Sequence, residues 1–203
     1  MKKGILLFTL VMLTLSCFSQ GLGRRASWQA QIGWPDNRTP GATIQSVESG
    51  SPLDKAGFEP GDRIIQVNDR RILSSEDWSH ATYSIRADEA TVLHIKRGAD
   101  WFKREVKLNP LEKETHKGLT TYYESVVSDY GIRQRTIITT PNPKAKLPAI
   151  FLIQGLSCST IEKYSGRSNN WVKMIETLVE QSGMVVMRVD KPGVGDSEGD
   201  CGC

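Results

Sequence analysis

The segment SPLDKAGFEPGDRIIQVN, residues 51–68, decides the fold of the first half of the chain. Ser51 can cap a helix, and Pro52 suits the first helical position, where its missing N–H needs no partner. Gly57 supplies the left-handed residue that ends so short a helix. The tripeptide PGD then favours a tight turn before a strand from Arg63 to Val67. The segment therefore predicts a short helix, a turn and a strand.

This order of elements resembles the S-P-x-x-x-A-G-x-x-x-G-D-x-I-x-x-V-N signature of PDZ domains, and most of all those attached to bacterial periplasmic proteases. Nine fixed positions are filled, namely Ser51, Pro52, Ala56, Gly57, Gly61, Asp62, Ile64, Val67 and Asn68. The resemblance implies an α+β fold for residues 28–110, a small β-barrel or sandwich with two helices.

The same resemblance implies a peptide-binding groove. In bacterial PDZ domains a short element around a glycine binds the peptide carboxylate, and the peptide adds a strand to the exposed sheet edge. A helix expected from Glu76 to about Arg86, capped by Ser74 or Ser75, forms the second wall. The predicted groove residues are Gln31, Ile32, Gly33, Trp34, Thr82 and Ile85. The alternative is that Ile32, Trp34 and Ile85 only pack in the core.

The second half of the chain has a different pattern. Two strands are expected over residues 120–128 and 133–140. The apolar run Ala149–Ile153 is typical of a strand buried on both faces. An apolar helical stripe around Trp171 and a strand from Met184 to Val189 follow. Strand, helix and strand predict a βαβ unit with a parallel pair.

This half resembles the start of an α/β-hydrolase over residues 119–203, which makes it an incomplete α/β sheet unit. Asp190–Ser197 matches the family's D-x-x-G-x-G-x-S loop. Gly155 and Leu156 lie where the family supplies one oxyanion-hole N–H. Ser197 belongs to G-x-G-x-S and not to the nucleophile elbow G-x-S-x-G, so we expect it to act as a loop hydrogen-bonding residue.

In the resembled family the nucleophile, acid and histidine all come later in the chain. The three histidines here, His80, His94 and His116, lie in the PDZ-like region or the segment after it, and we expect His80 and His116 to be exposed. We therefore expect an inactive N-terminal portion of an exported serine hydrolase, of esterase or peptidase type. The alternative is a non-catalytic extracytoplasmic binding protein.

The N-terminus indicates export. Two lysines and an apolar run precede small residues, as in a secretory signal peptide, which we expect to span residues 1–19. Lipidation of Cys17 is the alternative. The protein is thus expected to be periplasmic or secreted, without a transmembrane span in the mature chain. In that compartment Cys158 can form a disulfide with Cys201 or Cys203.

Composition limits the classes of binding partner that we expect for this protein. The formal net charge is +3, with basic and acidic residues interleaved, which argues against nucleic-acid binding. The spacing of cysteine and histidine gives no metal-site pattern, and no cofactor is expected. The segments 20–27 and 111–118 are predicted to be linkers.

Overall fold

The computed structural model describes residues 21–33, 39–155, 157–163 and 170–201. The elements of the first half are β1 (Ala26–Ser27), β2 (Ala30–Gly33), β3 (Ala42–Val47), α1 (Pro52–Lys55), β4 (Arg63–Val67), β5 (Arg70–Arg71), α2 (Ser75–Tyr83), β6 (Ala90–Arg97), β7 (Asp100–Lys107) and β8 (Asn109–Pro110). Those of the second half are β9 (Thr120–Val127), β10 (Arg133–Thr140), β11 (Ala149–Leu152), α3 (Asn170–Gln181) and β12 (Val185–Val189). The predicted signal peptide, Cys17, Trp34, Leu156 and Cys203 lie outside the described residues.

The first sheet is antiparallel, in the order β2-β3-β4-β6-β7, with β5 paired to β4. Side chains alternate between its faces, and one face forms the core. Ile44, Leu53, Ile64 and Leu93 are fully buried there. β1 pairs with β8, which brings the two ends of this unit together.

Both helices of the first unit begin as the sequence predicts. The Ser51 hydroxyl accepts the Asp54 N–H at 3.2 Å, and Gly57 has the left-handed φ of +79°. Ser74 and Asp77 form a reciprocal capping box at the start of α2. The local capping chemistry is therefore confirmed.

The predicted end of α2 is wrong. The helix ends at Tyr83, so Ile85 lies beyond it and does not belong to a helical wall. Its carbonyl instead accepts the Ala26 N–H at 3.2 Å, while the Ala87 N–H donates to the Arg24 carbonyl at 2.8 Å. Pairing with the N-terminal segment thus replaces the last helical turn.

The second sheet has the order β11-β12-β10-β9. β11 and β12 are parallel, as expected for strands joined through α3. The helix packs Ile175 and Val179 against Val186. However, β11 is not buried on both faces, because Phe151 is 56% exposed and the adjoining Ile153 is 78% exposed. β11 is the end strand of the described sheet, so continuous apolar sequence was a misleading sign of burial.

Each of the two predicted linkers contributes side chains to the interior. The Arg24 side chain is only 9% exposed, and its guanidinium lies 2.8 Å from Glu162 and 2.6 Å from Asp196, both fully buried. It also donates to the carbonyls of Leu111 and Glu112. Burial lowers the pKa of Arg24, but the two carboxylates outweigh it, and the pKa lies above its ordinary value. Arg24 therefore joins the N-terminal segment to the second sheet unit.

His116 is buried, which contradicts the expectation of an exposed side chain. Its Nε2 lies 3.3 Å from Glu114 and its Nδ1 lies 3.0 Å from Glu180. Glu114 also accepts hydrogen bonds from the buried guanidinium of Arg188. Burial alone would raise the pKa of Glu114, but its hydrogen bonds from His116 and Arg188 hold that pKa at about 2. The bonds to Glu114 and Glu180 raise the pKa of His116 despite its burial.

Replacing Arg24 with methionine tests this connection. Arg24→Met removes the positive charge that pairs with the buried carboxylates of Glu162 and Asp196. We therefore expect a loss of about 3–5 kcal/mol in the free energy of unfolding. Urea denaturation measures it. The control Arg70→Met removes an exposed cation and should cost no more than about 0.5 kcal/mol. Equal losses in the two variants contradict the role of Arg24.

His116 makes stability depend on pH. Because folding raises its pKa, its contribution is complete below the unfolded value of 6.5 and is lost as pH rises through the folded value. Glu180→Gln should therefore destabilise the protein more at about pH 5.5 than at about pH 8.5. Urea denaturation at both values measures this difference. The exposed control Glu112→Gln should show no such difference, and a Glu180→Gln cost that is independent of pH refutes the assignment.

Candidate functional site

The edge strand β2 is the candidate binding element. It ends the first sheet, and among the described strands it pairs only with β3. The ladder shifts register between Gln31 and Ile32. An edge strand presents unpaired N–H and C=O groups that another extended chain can pair with. We call the edge of β2 that no described strand pairs with its free edge. This free edge is therefore suited to strand addition.

The structure divides the predicted groove residues between core and surface. Ile32 packs against the core of the first unit, and Ile85 is buried within it. Gln31 is exposed at the edge. The Thr82 hydroxyl donates to the Trp78 carbonyl within α2 at 2.8 Å. Gly33 lies on the edge strand, where an added Cβ would meet the side chain of Gln45.

Two tryptophans at this edge were not predicted as a pair. The rings of Trp28, just before β2, and Trp78, on α2, have centroids 4.7 Å apart and planes inclined by 50°. They connect the segment before β2 to the helix. Gln29, which follows Trp28, has a positive φ of +48°, and its carbonyl accepts the Glu48 N–H. The presence of the two tryptophans in the sequence could have indicated this aromatic pair. A positive φ at a glutamine, in contrast, is not indicated by the sequence.

The loop after β12 is buried and highly connected. Asp190 accepts the Ile161 N–H at 2.9 Å and the Thr160 hydroxyl at 3.0 Å, and burial raises its pKa to about 6. Asp196 accepts the Arg25 N–H at 2.8 Å as well as the Arg24 guanidinium. Burial acts to raise the pKa of Asp196, but Arg24 outweighs it and lowers that pKa. The D-x-x-G-x-G-x-S loop thus binds the N-terminal segment through hydrogen bonds to Asp196.

Ser197 has the role that the sequence indicates. Its buried hydroxyl accepts the Arg135 N–H at 2.8 Å and donates to the Asp190 carbonyl at 3.3 Å. Gly195 has a φ of +59°, and a Cβ there would lie 2.1 Å from the Asp190 carboxylate. Only glycine fits at that position. The loop is a packed structural element around Ser197.

The predicted oxyanion residues are only partly described. Gly155 is exposed just after β11, and Leu156 lies outside the described residues. A disulfide joins Cys158 to Cys201, with their Cα atoms 6.0 Å apart, and it links the segment after β11 to the end of the loop that follows β12. Within the described ranges there is no cluster of three or more side chains suited to hold a metal ion.

Comparison with known families identifies the first unit. The model of the PDZ domain family matches residues 7–108, half of the chain. The chain therefore belongs to the PDZ domain family.

The curated relatives are proteases. The chain is 32% identical over 80 residues to the serine protease Do-like HtrA of Lactococcus lactis subsp. lactis, a match covering 39% of this chain and 20% of that protein. It is 31% identical over 75 residues to the probable periplasmic serine endoprotease DegP-like of Hahella chejuensis, covering 37% and 16%. The chain thus matches a fifth or less of the length of these relatives.

Solved structures that are similar to part of this chain include the HtrA3 PDZ domain bound to a phage-derived ligand (FGRWV). The two share 23% sequence identity with a TM-score of 0.31, and the match covers 44% of this chain and 82% of that one. The photosystem II D1 C-terminal processing protease has 19% identity and a TM-score of 0.36, over 57% and 30%. In the part of the chain that the structure describes, no helix is long and apolar enough to cross a membrane.

The role of Ser197 can be tested by removing its hydroxyl. Ser197→Ala leaves the buried Arg135 N–H without an acceptor, so we expect a loss of about 1–3 kcal/mol in the free energy of unfolding. A fluorophosphonate probe should not label Ser197 in the native protein. Ser157→Ala removes an exposed hydroxyl of the same unit and should change stability little. Labelling of Ser197 would show a nucleophile instead.

Proposed function

We propose that this protein captures extended polypeptide C-termini at the free edge of β2, as an extracytoplasmic binding protein. The observation that carries the proposal is the free edge of β2 in a chain that belongs to the PDZ family. The peptide pairs its backbone with this edge, and α2 forms the opposite wall.

In this proposal, backbone and side-chain contacts make different contributions to peptide recognition. Backbone hydrogen bonds to β2 supply affinity for any extended chain, and alternate peptide side chains face the protein and supply specificity. Ile32, packed against the core, holds the strand in place. Gly33 leaves the backbone accessible near the end of β2, where we place the peptide carboxylate. Thr82 and the Trp28–Trp78 pair border the peptide on the helix side.

An extracytoplasmic location agrees with several features. Residues 1–19 have the pattern of a secretory signal peptide. The disulfide between Cys158 and Cys201 suits an oxidising compartment. One of the relatives is described as periplasmic. Membrane attachment through Cys17 remains the alternative form of the same proposal.

A glycine substitution tests the binding edge. In Gly33→Val the new Cβ would lie 2.2 Å from the Gln45 side-chain amide, so that side chain must move and the bulkier residue occupies the binding strand. We expect peptide affinity to fall about tenfold, or about 1.4 kcal/mol, in calorimetry with a library of free C-terminal peptides. Gly21→Val meets no atom within 4 Å and serves as the control.

The same titration can also refute the proposed peptide binding. C-terminally amidated peptides should bind more weakly than the free acids, because the carboxylate is lost. Equal affinity of the Gly33→Val and Gly21→Val proteins, or no heat from any free-acid peptide, refutes capture at β2.

A second candidate function rests on the second sheet. Two antiparallel strands followed by the parallel pair β11 and β12 agree with the opening of an α/β-hydrolase unit. In this proposal Gly155 and Leu156 supply one oxyanion-hole N–H, and acyl transfer uses a serine that this sequence does not contain. Sequencing the gene past the Cys203 codon tests it. A G-x-S-x-G motif in frame supports the candidate, and an immediate stop codon refutes it.

A further inference from the structure

The outer face of the first sheet carries a basic groove. A cavity of about 640 Å³ lies over strands β4 and β6, bounded by the turn at Thr39-Pro40 and by Leu73 and Trp101. Four of its lining residues are basic, namely Arg63, Arg71, His94 and Lys96. None of the described lining residues is acidic. We call these four residues and Trp101 the basic groove.

Strand register sets the geometry of the basic groove. Thr43, Arg63, Lys96 and Trp101 are successive partners across β3, β4, β6 and β7, so they form one row on the outer face. The Lys96 ammonium lies 5.5 Å from the centroid of the Trp101 ring. His94 lies two residues from Lys96 on the same face, about 6.8 Å away along the strand. The basic side chains therefore form a regular array.

These basic side chains lack acidic partners among the described residues. No ion pair or hydrogen bond of the described chain involves the side chains of Arg63, Arg71, His94 or Lys96. Elsewhere the same sheet pairs Arg97 with Asp62 and Glu59.

Buried polar atoms beneath the groove are unsatisfied too. The Nε of Arg63 is buried without a hydrogen-bond partner in the described structure, and so is the Oγ1 of the adjacent Thr43. A buried donor without an acceptor is costly, and a ligand that accepts from it recovers that cost. An anionic ligand is thus the chemistry that this face lacks.

We propose that the basic groove binds an acidic polypeptide segment in an extended conformation, at a site separate from the β2 edge. Alternate side chains of an extended chain are about 6.8 Å apart, which matches the spacing of His94 and Lys96. An aromatic or aliphatic residue beside the carboxylates packs on Trp101, which is 64% exposed, and on Leu73, which is 58% exposed.

The shape of the groove distinguishes this occupant from others. Arg63, His94 and Lys96 are half-buried below the rim, whereas Trp101 and Leu73 stand at it. A planar anionic membrane meets the rim but does not enter the cavity. A single phosphate is too small to contact the whole array of basic side chains. A chain segment carrying several carboxylates can enter the groove and reach them.

The test uses the whole protein and a fluorescein-labelled, C-terminally amidated peptide in which glutamate alternates with alanine around one tryptophan. Amidation removes the carboxylate that the β2 edge requires, so the failure of one proposal is separable from the failure of the other. Fluorescence anisotropy should show binding that weakens as salt rises. Lys96→Gln and Arg63→Gln should each lower the affinity about tenfold, as expected for loss of a charged hydrogen bond.

Matched controls complete the test. Lys107→Gln makes the same charge change on the outer face of β7, about 20 Å from Trp101, and should leave the affinity unchanged. A peptide with glutamine in place of glutamate should not bind. The proposal is overturned by equal losses in Lys96→Gln and Lys107→Gln, or by equal binding of the glutamine peptide. It is also overturned if phosphatidylglycerol vesicles or inorganic phosphate bind the groove and the acidic peptide does not.

Discussion

The guanidinium of Arg24 lies between two buried carboxylates, Glu162 and Asp196, and the arrangement of the two sheet units depends on it. A charge is stable in the interior only when it is paired and hydrogen-bonded, so these three side chains must stay together. Arg135 adds a second cation to Asp196. The N-terminal segment is thereby fixed to the loop after β12.

The same segment also contacts the proposed peptide site. The Ala26 N–H pairs with Ile85, just beyond α2, while the Arg25 N–H pairs with Asp196 in the second unit. Residues next to the end of the helix wall are therefore joined to the D-x-x-G-x-G-x-S loop through a few backbone bonds.

Charges in this chain serve two different purposes. In the interior, Glu114 hydrogen-bonds both His116 and Arg188 and thereby connects a segment that was predicted to be a linker to β12. On the outer face of the first sheet, the basic residues Arg63, Arg71, His94 and Lys96 line a groove whose described lining contains no carboxylate. The same composition, nearly balanced overall, thus gives internal ion pairs in one place and an unpaired basic surface in another.

Several features were predictable because they depend on neighbours in sequence. The caps at Ser51 and Ser74, the left-handed Gly57 and the strand from Arg63 to Val67 follow from local backbone and side-chain chemistry. Nine residues at fixed spacing then indicated the PDZ fold. The parallel pairing of β11 with β12 followed from the strand–helix–strand order.

Other features were not predictable, because they depend on residues far apart in the chain. The burial of Arg24 and His116 depends in part on carboxylates 64 to 172 positions away. The early end of α2 depends on pairing with the N-terminal segment, and the exposure of β11 depends on its place in the sheet. Sequence by itself determined the local elements and the family, since short-range sterics and hydrogen bonds fix them. Only the tertiary structure decided which charges are buried and which strand edge is free, because both are set by what folds against them.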